Sequence, residues 1–196
     1  LPVLCCALSA FAQETTPVPA AEAPALPTIF LAGDSTSQNG NPVATGWGKM
    51  FPEYFDATKV RIVNRSLGGR SSRTFVTEGH WDKLVAELKA GDLVLIQFGM
   101  NDGADRNGPR VARGSLDGLG EEIEQIDNVV TKKPETVHTF GWYLRKMIAD
   151  VRAKGATPVL FSLTVRDFWK DGKVERGAGR YGEWARELAV AEKLAF

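Results

Sequence analysis

The chain has 196 residues, 43% of them hydrophobic and 9% aromatic, enough to bury the core of one domain and too many for a disordered tail or a fibrous repeat. Its 24 Lys+Arg are matched by 24 Asp+Glu, so the formal net charge is zero. That balance argues against a nucleic-acid partner, because phosphate-backbone binding takes an excess of basic residues on one face and the longest basic run is Lys132-Lys133.

Residues 1–12 carry no charge and end Ala10-Phe11-Ala12 before Gln13, the small-x-small pattern of a signal-peptidase site. About a dozen residues fall short of the roughly 20 that span a bilayer as a helix, so no membrane segment is expected. We read 1–12 as a truncated signal peptide, which makes the protein secreted or periplasmic. Cys5 and Cys6 both lie in it, so the mature chain is expected to hold no disulfide framework. Residues 13–27, with Pro17, Pro19, Pro24 and Pro27 among Ala, Thr and Glu, read as an extended linker, and the domain as 28–196.

From there strand and helix patterns alternate. Thr28-Ile29-Phe30-Leu31-Ala32 is a continuous apolar run stopped by Gly33, as expected of a strand buried on both faces. A short helix is expected over Trp47 to Phe55, with Pro52 inside it. Val60-Arg61-Ile62-Val63 is interrupted by a charge and reads as a strand nearer the sheet edge. Trp81, Leu84, Val85 and Leu88 form a helical stripe that stops at Gly91. Leu93 to Phe98 and Pro158 to Leu163 repeat the buried-strand pattern. Between them Val137, Phe140, Leu144, Ile148 and Val151 make a second helical stripe, and Tyr181, Trp184, Leu188, Ala191 and Leu194 a third. The alternation predicts a three-layer α/β fold with a parallel sheet.

Ligands of such sheets bind beyond the carboxyl ends of the strands, so chemistry is sought in the loops 33–46, 64–79, 99–133 and 164–179. The first opens Gly33-Asp34-Ser35-Thr36: Ser35 sits at the carboxyl edge, where a following helix can aim its N-terminal N–H groups at a developing negative charge, and a plain helix cap satisfies the same residues. The second holds Gly68-Gly69-Arg70-Ser71-Ser72-Arg73, where a glycine N–H can face an oxyanion and Arg70 and Arg73 can hold a polar or anionic substrate; a flexible turn with solvated charges fits equally. In the third, Gly99-Met100-Asn101-Asp102, the Asn101 amide is a further donor or an ordinary turn residue.

Gly33-Asp34-Ser35 after the first strand, Gly69 after the second and Gly99-x-Asn101-Asp102 after the third resemble the first three blocks of the SGNH, or GDSL-type, hydrolases. The likeness is greatest to the rhamnogalacturonan acetylesterases, through Leu31-Ala32-Gly33-Asp34-Ser35-Thr36, Gly46-Trp47-Gly48, Gly69-Arg70-Ser71-x-Arg73 and Glu135-x-x-x-Thr139-Phe140-x-x-Tyr143-Leu144, the last expected on the later helix. The resemblance covers roughly residues 28–196. It implies a flavodoxin-like fold, Ser35 as nucleophile, and an oxyanion hole from the N–H groups of Ser35 and Gly69 with the Asn101 side chain. Two departures stand out. Met100 occupies a place where these enzymes often carry His, and their Asp-x-x-His block has no counterpart here. The chain is therefore expected to be a fragment clipped at both ends and, as it stands, to turn over little substrate.

His80 and His138, the two histidines present, read as a residue preceding the Trp81 helix and one flanking an apolar helical stripe, and neither is taken as the base. Gly177-Ala178-Gly179-Arg180-Tyr181-Gly182 matches a dinucleotide fingerprint in form but follows a polar loop rather than the first strand. No metal cluster and no cofactor are expected. Trp142 and Trp184 read as core, and Trp169 as a candidate sugar platform. The expectation is a monomeric serine esterase that deacetylates pectic polysaccharide. The alternatives are a general acylhydrolase of lipid or xylan esters and an inactive sugar-binding relative.

Overall fold

The computed structural model describes residues 26–40, 44–165, 167–174 and 179–196. The signal-peptide reading of 1–12, the linker up to residue 25 and the first residues of the 177–182 glycine motif lie outside the described residues.

Four parallel strands form the sheet: β1 (Thr28–Gly33), β2 (Arg61–Asn64), β3 (Leu93–Gln97) and, after the hairpin introduced below, β6 (Thr157–Leu160), in the order β2-β1-β3-β6. Of the three continuous apolar runs, β1 and β3 are central and pair Ile29 with Leu93 through Gly33 with Gln97, while the third, β6, comes last of the four. The run broken by Arg61 takes the edge, as expected. On the far side Ala195 bridges Val159 in parallel, and its carbonyl accepts from the Leu160 N–H at 3.2 Å.

Side chains alternate across the sheet. Phe30, Ala32, Val94 and Ile96 join one buried cluster with all four helices: α1 (Ser72–Thr77), α2 (His80–Glu87), α3 (Phe140–Ala153) and α4 (Tyr181–Ala191). Leu31 and Leu95 face the other way and are just as buried. There the expected helix over 47–55 is two 3-10 turns, Trp47–Lys49 and Phe51–Tyr54, with Pro52 starting the second.

Two regions differ from the sequence reading. The long third loop contains β4 (Ile123–Asn128), which pairs antiparallel with β5 (Lys133–His138). Helix α3 accordingly starts only at Phe140, where the Thr139 hydroxyl caps it by accepting the Trp142 N–H at 3.1 Å. Val137, His138 and Glu135 are therefore on a strand and not on the helix. A last hairpin, β7 (Trp169–Lys170) with β8 (Lys173–Val174), lies in the fourth loop. Among the described residues no helix is long and apolar enough to cross a membrane.

Candidate active site

β1 delivers Gly33 to the carboxyl edge of the sheet, and the chain turns at once. The fully buried Asp34 accepts the Thr36 N–H and hydroxyl on Oδ1, both at 2.8 Å, and its carbonyl accepts the Gln38 N–H at 3.0 Å. This is the cap that the sequence allowed for, but Asp34 makes it, and among the described residues no α-helix follows before α1. The helix N-terminus expected behind Ser35 is replaced by this turn. Ser35 is left exposed upon it.

Gln97, the last residue of β3, braces the turn from below. Its Oε1 accepts from Thr36 Oγ1 at 3.2 Å and from Trp47 Nε1 at 2.8 Å, while its Nε2 donates to the Ser162 carbonyl at 2.7 Å. Trp47 also stacks on Phe161, ring centroids 5.7 Å apart. Beside it Gly48 lies so close under the turn that a Cβ would stand 2.1 Å from the Ser37 carbonyl oxygen, which only glycine permits.

The second loop is laced to the first. Asn64 Nδ2 donates to the Ser37 carbonyl at 2.7 Å, Ser37 Oγ bonds Ser66 Oγ at 2.9 Å, and the N–H groups of Leu67 and Gly68 donate to the Gly33 carbonyl at 2.9 Å and to Gln38 Oε1 at 2.6 Å. Gly69 closes the turn at φ +77°, a conformation that suits glycine, and its carbonyl accepts Arg113 Nη1 at 3.1 Å. The third loop is laced to the second in turn. Asn101 Nδ2 donates to the Arg70 carbonyl at 2.9 Å, and the wholly buried Asp102 accepts the Ser72 N–H at 3.1 Å and its hydroxyl at 2.5 Å. Burial pushes Asp102 up to about 6, although the Ser72 hydrogen bonds pull the other way. Ser35, Gly69 and Asn101 thus sit on three loops joined by hydrogen bonds at one end of the sheet.

The two arginines part company. Arg70 remains partly exposed, with Nε 2.9 Å from Glu78 Oε2. Arg73, expected to meet substrate, is instead completely buried, because the second loop ends in α1 and the first turn of that helix faces it inward. Its Nε and Nη2 bind Glu135 at 2.7 and 2.8 Å, and its Nη1 donates to the carbonyls of Arg106 and Gly114. Arg73 is a structural ion pair, four of its N–H groups engaged within the protein and the side chain closed off from any sugar by its burial. Burial pushes the Glu135 carboxyl up, but hydrogen bonds from Arg73 and Asn128 and the Arg73 charge outweigh it and hold it below its usual range.

His80 opens α2 with Nε2 3.0 Å from Glu78 Oε2. His138 ends β5, stacks on Trp142 at 3.7 Å, and is held below its ordinary pKa by burial, which outweighs the charge of Glu121. Among the described residues no hydrogen bond joins either ring to Ser35. Met100 is half-buried beside Gly99, in a cavity that Asp117 and Tyr181 also line. Trp169 is exposed on its hairpin, and Trp184 packs against the core. Among the described residues no group of three or more His, Cys, Asp or Glu is placed to hold a metal.

Sequence reasoning missed Gln97, Trp47 and Arg113 as supports of the site. Gln97, a polar residue closing an apolar strand run, and Trp47, within the Gly46-Trp47-Gly48 motif, were the legible signals. Arg113 lies in a loop without pattern, 44 residues from Gly69.

Residues 31–196 match the family model described as the GDSL-like Lipase/Acylhydrolase family. The chain is similar to the rhamnogalacturonan acetylesterase of Emericella nidulans, with 35% identity over 163 residues, covering 83% of this chain and 62% of that protein. It is also similar to the rhamnogalacturonan acetylesterase RhgT of Bacillus subtilis, with 32% identity over 165 residues, covering 82% and 60%. The chain spans about three fifths of the length of these relatives. Among solved structures, Bacillus subtilis protein YxiM aligns with a TM-score of 0.64 at 28% identity, over 87% of this chain and 43% of that one. The acetyl xylan esterase AlAXEase aligns with a TM-score of 0.56 at 16% identity, over 86% and 75%, a likeness of fold alone.

Proposed function

Because the chain belongs to the GDSL-like lipase/acylhydrolase family, we propose that it is an exported serine esterase that removes acetyl groups from pectic polysaccharide. The observation that carries this reading is the exposed Ser35 on a turn tied by hydrogen bonds to the loops of Gly69 and Asn101. Ser35 Oγ attacks the acetyl carbonyl carbon, and its proton passes to a general base, a part that neither His80 nor His138 is assigned. The carbonyl oxygen, now negative, is held by the N–H groups of Ser35 and Gly69 and by the second N–H of the Asn101 amide, the first being engaged by the Arg70 carbonyl. Each donor contributes roughly 3 kcal/mol to the transition state. Collapse breaks the bond to the sugar oxygen, which takes the proton back from the base and leaves as a hydroxyl, and water then cleaves the acetyl-Ser35 ester to acetate and the free serine. The names of the two acetylesterase relatives support the pectic substrate, and the uncharged run 1–12 supports export.

Hydrolysis by the full-length protein tests the proposal, read as acetate from acetylated rhamnogalacturonan and acetylated xylan and as fatty acid from a long-chain ester. We expect the first to be preferred and Ser35→Ala to lose at least about a thousand-fold in turnover on it. Release that survives Ser35→Ala removes the nucleophile assignment, and a preference for either other ester removes the pectic one.

A further inference from the structure

Gly69 also forms one end of a groove of about 490 Å³ between α1 and the β4–β5 hairpin. Arg70, Arg110, Arg113 and Lys133 contribute four cations to its walls, and Glu78 and Glu135 two anions. Both anions are already paired. Glu78 lies 2.9 Å from Arg70 and 3.0 Å from His80, and Glu135 holds the buried Arg73. Among the described residues Arg110, Arg113 and Lys133 have no carboxylate partner, so the groove keeps three positive charges in a chain whose net charge is zero. Arg110 and Lys133 are exposed and Arg113 is half-buried. Between them Val111 and Pro134 supply apolar surface of the kind that packs on the C–H face of a sugar ring.

The geometry points to a carboxylate-binding subsite: this groove takes the uronate residues of an acidic oligosaccharide, whose carboxylates meet Arg110 and Lys133. Arg113 is the half-buried member, and because its Nη1 holds the Gly69 carbonyl, it ties the grip on the sugar chain to the residue whose own N–H is an oxyanion donor. Guanidinium groups match carboxylates in a two-pronged fit, and three local charges with apolar surface between them suit spaced sugar acids better than a continuous phosphate backbone. The inference rests on the esterase reading of the adjoining site, but its test measures binding rather than turnover.

Calorimetric titration of the full chain with an oligogalacturonide and with its methyl-esterified, uncharged counterpart is the experiment. The acidic ligand is expected to bind more tightly, and to weaken as salt rises while the neutral one does not. The double variant Arg110→Gln/Lys133→Gln is expected to lose roughly tenfold in affinity for the acidic ligand and so to remove the difference. Arg110→Lys, which keeps the charge, retains it, and melting curves establish that each variant is folded. Equal binding of the two ligands, a preference that survives the double variant, a lack of salt dependence, or equally tight binding of a single-stranded oligonucleotide of the same charge would each overturn the subsite. A lost preference with Ser35-dependent acetate release intact rejects the groove alone. An intact preference without such release rejects the esterase reading alone.

Discussion

Asp102 and Glu135 are perturbed in opposite directions, and acid should separate them. Burial raises Asp102 to about 6, so between the ordinary carboxylate range and pH 6 the folded state binds more protons than the unfolded one. Its contribution is then fully present below the unfolded value and is lost as pH rises through about 6. Asp102→Asn abolishes this dependence, so the stability of the wild type relative to that variant should fall by roughly 3 kcal/mol between about pH 3 and pH 7, read from urea unfolding midpoints. Glu135 is depressed and contributes above its unfolded value, with loss only as pH falls through its lower folded value. The loops that hold Ser35, Gly69 and Asn101 were legible in the sequence, since each loop opens where a strand run ends. The sequence does not carry the burial of Arg73, because nothing near Arg73 announces a carboxylate 62 residues away.

The β4–β5 hairpin shows how an element can be hidden. Phe140, Leu144 and Ile148 fall at helical spacing because they line the buried face of α3, and Val137 joins that stripe by coincidence, while Pro134, Thr136 and Val137 are strand and breaker signals that the stripe conceals. Thr139 marks the change, since it caps α3 through Oγ1 and donates to the Gly120 carbonyl at 2.7 Å. The hairpin is held to α1 chiefly by Glu135, which Asn128 also contacts. Glu135→Ala leaves a guanidinium buried without its counter-ion, so it should cost about 3 to 5 kcal/mol and lower the melting temperature, whereas Glu124→Ala, which breaks an exposed pair with Arg106, should cost under about 1 kcal/mol. Comparable losses from the two would mean that the hairpin is not fastened at Glu135.

At the scale of the molecule one edge of the order β2-β1-β3-β6 was legible, because the run broken by Arg61 lies there, whereas the apolar run of β6 reads like the central strands and yet comes last of the four. The same order predicts amide exchange slowest at Phe30–Ala32 and Val94–Ile96 and much faster over residues 123–138, measured by mass spectrometry at neutral pH. Equal protection across the two regions would show that the hairpin shares the stability of the sheet. The pairing of Arg73 with Glu135 has a consequence in time. A ribosome adding about 5 to 20 residues per second exposes Arg73 some 3 to 12 s before its carboxylate. Throughout that interval, burying the guanidinium would leave it without a counter-ion, so α1 stays undocked. The residues that form the candidate site are thus all synthesised before the hairpin, yet the helix that follows Gly69 docks only once the hairpin has been made.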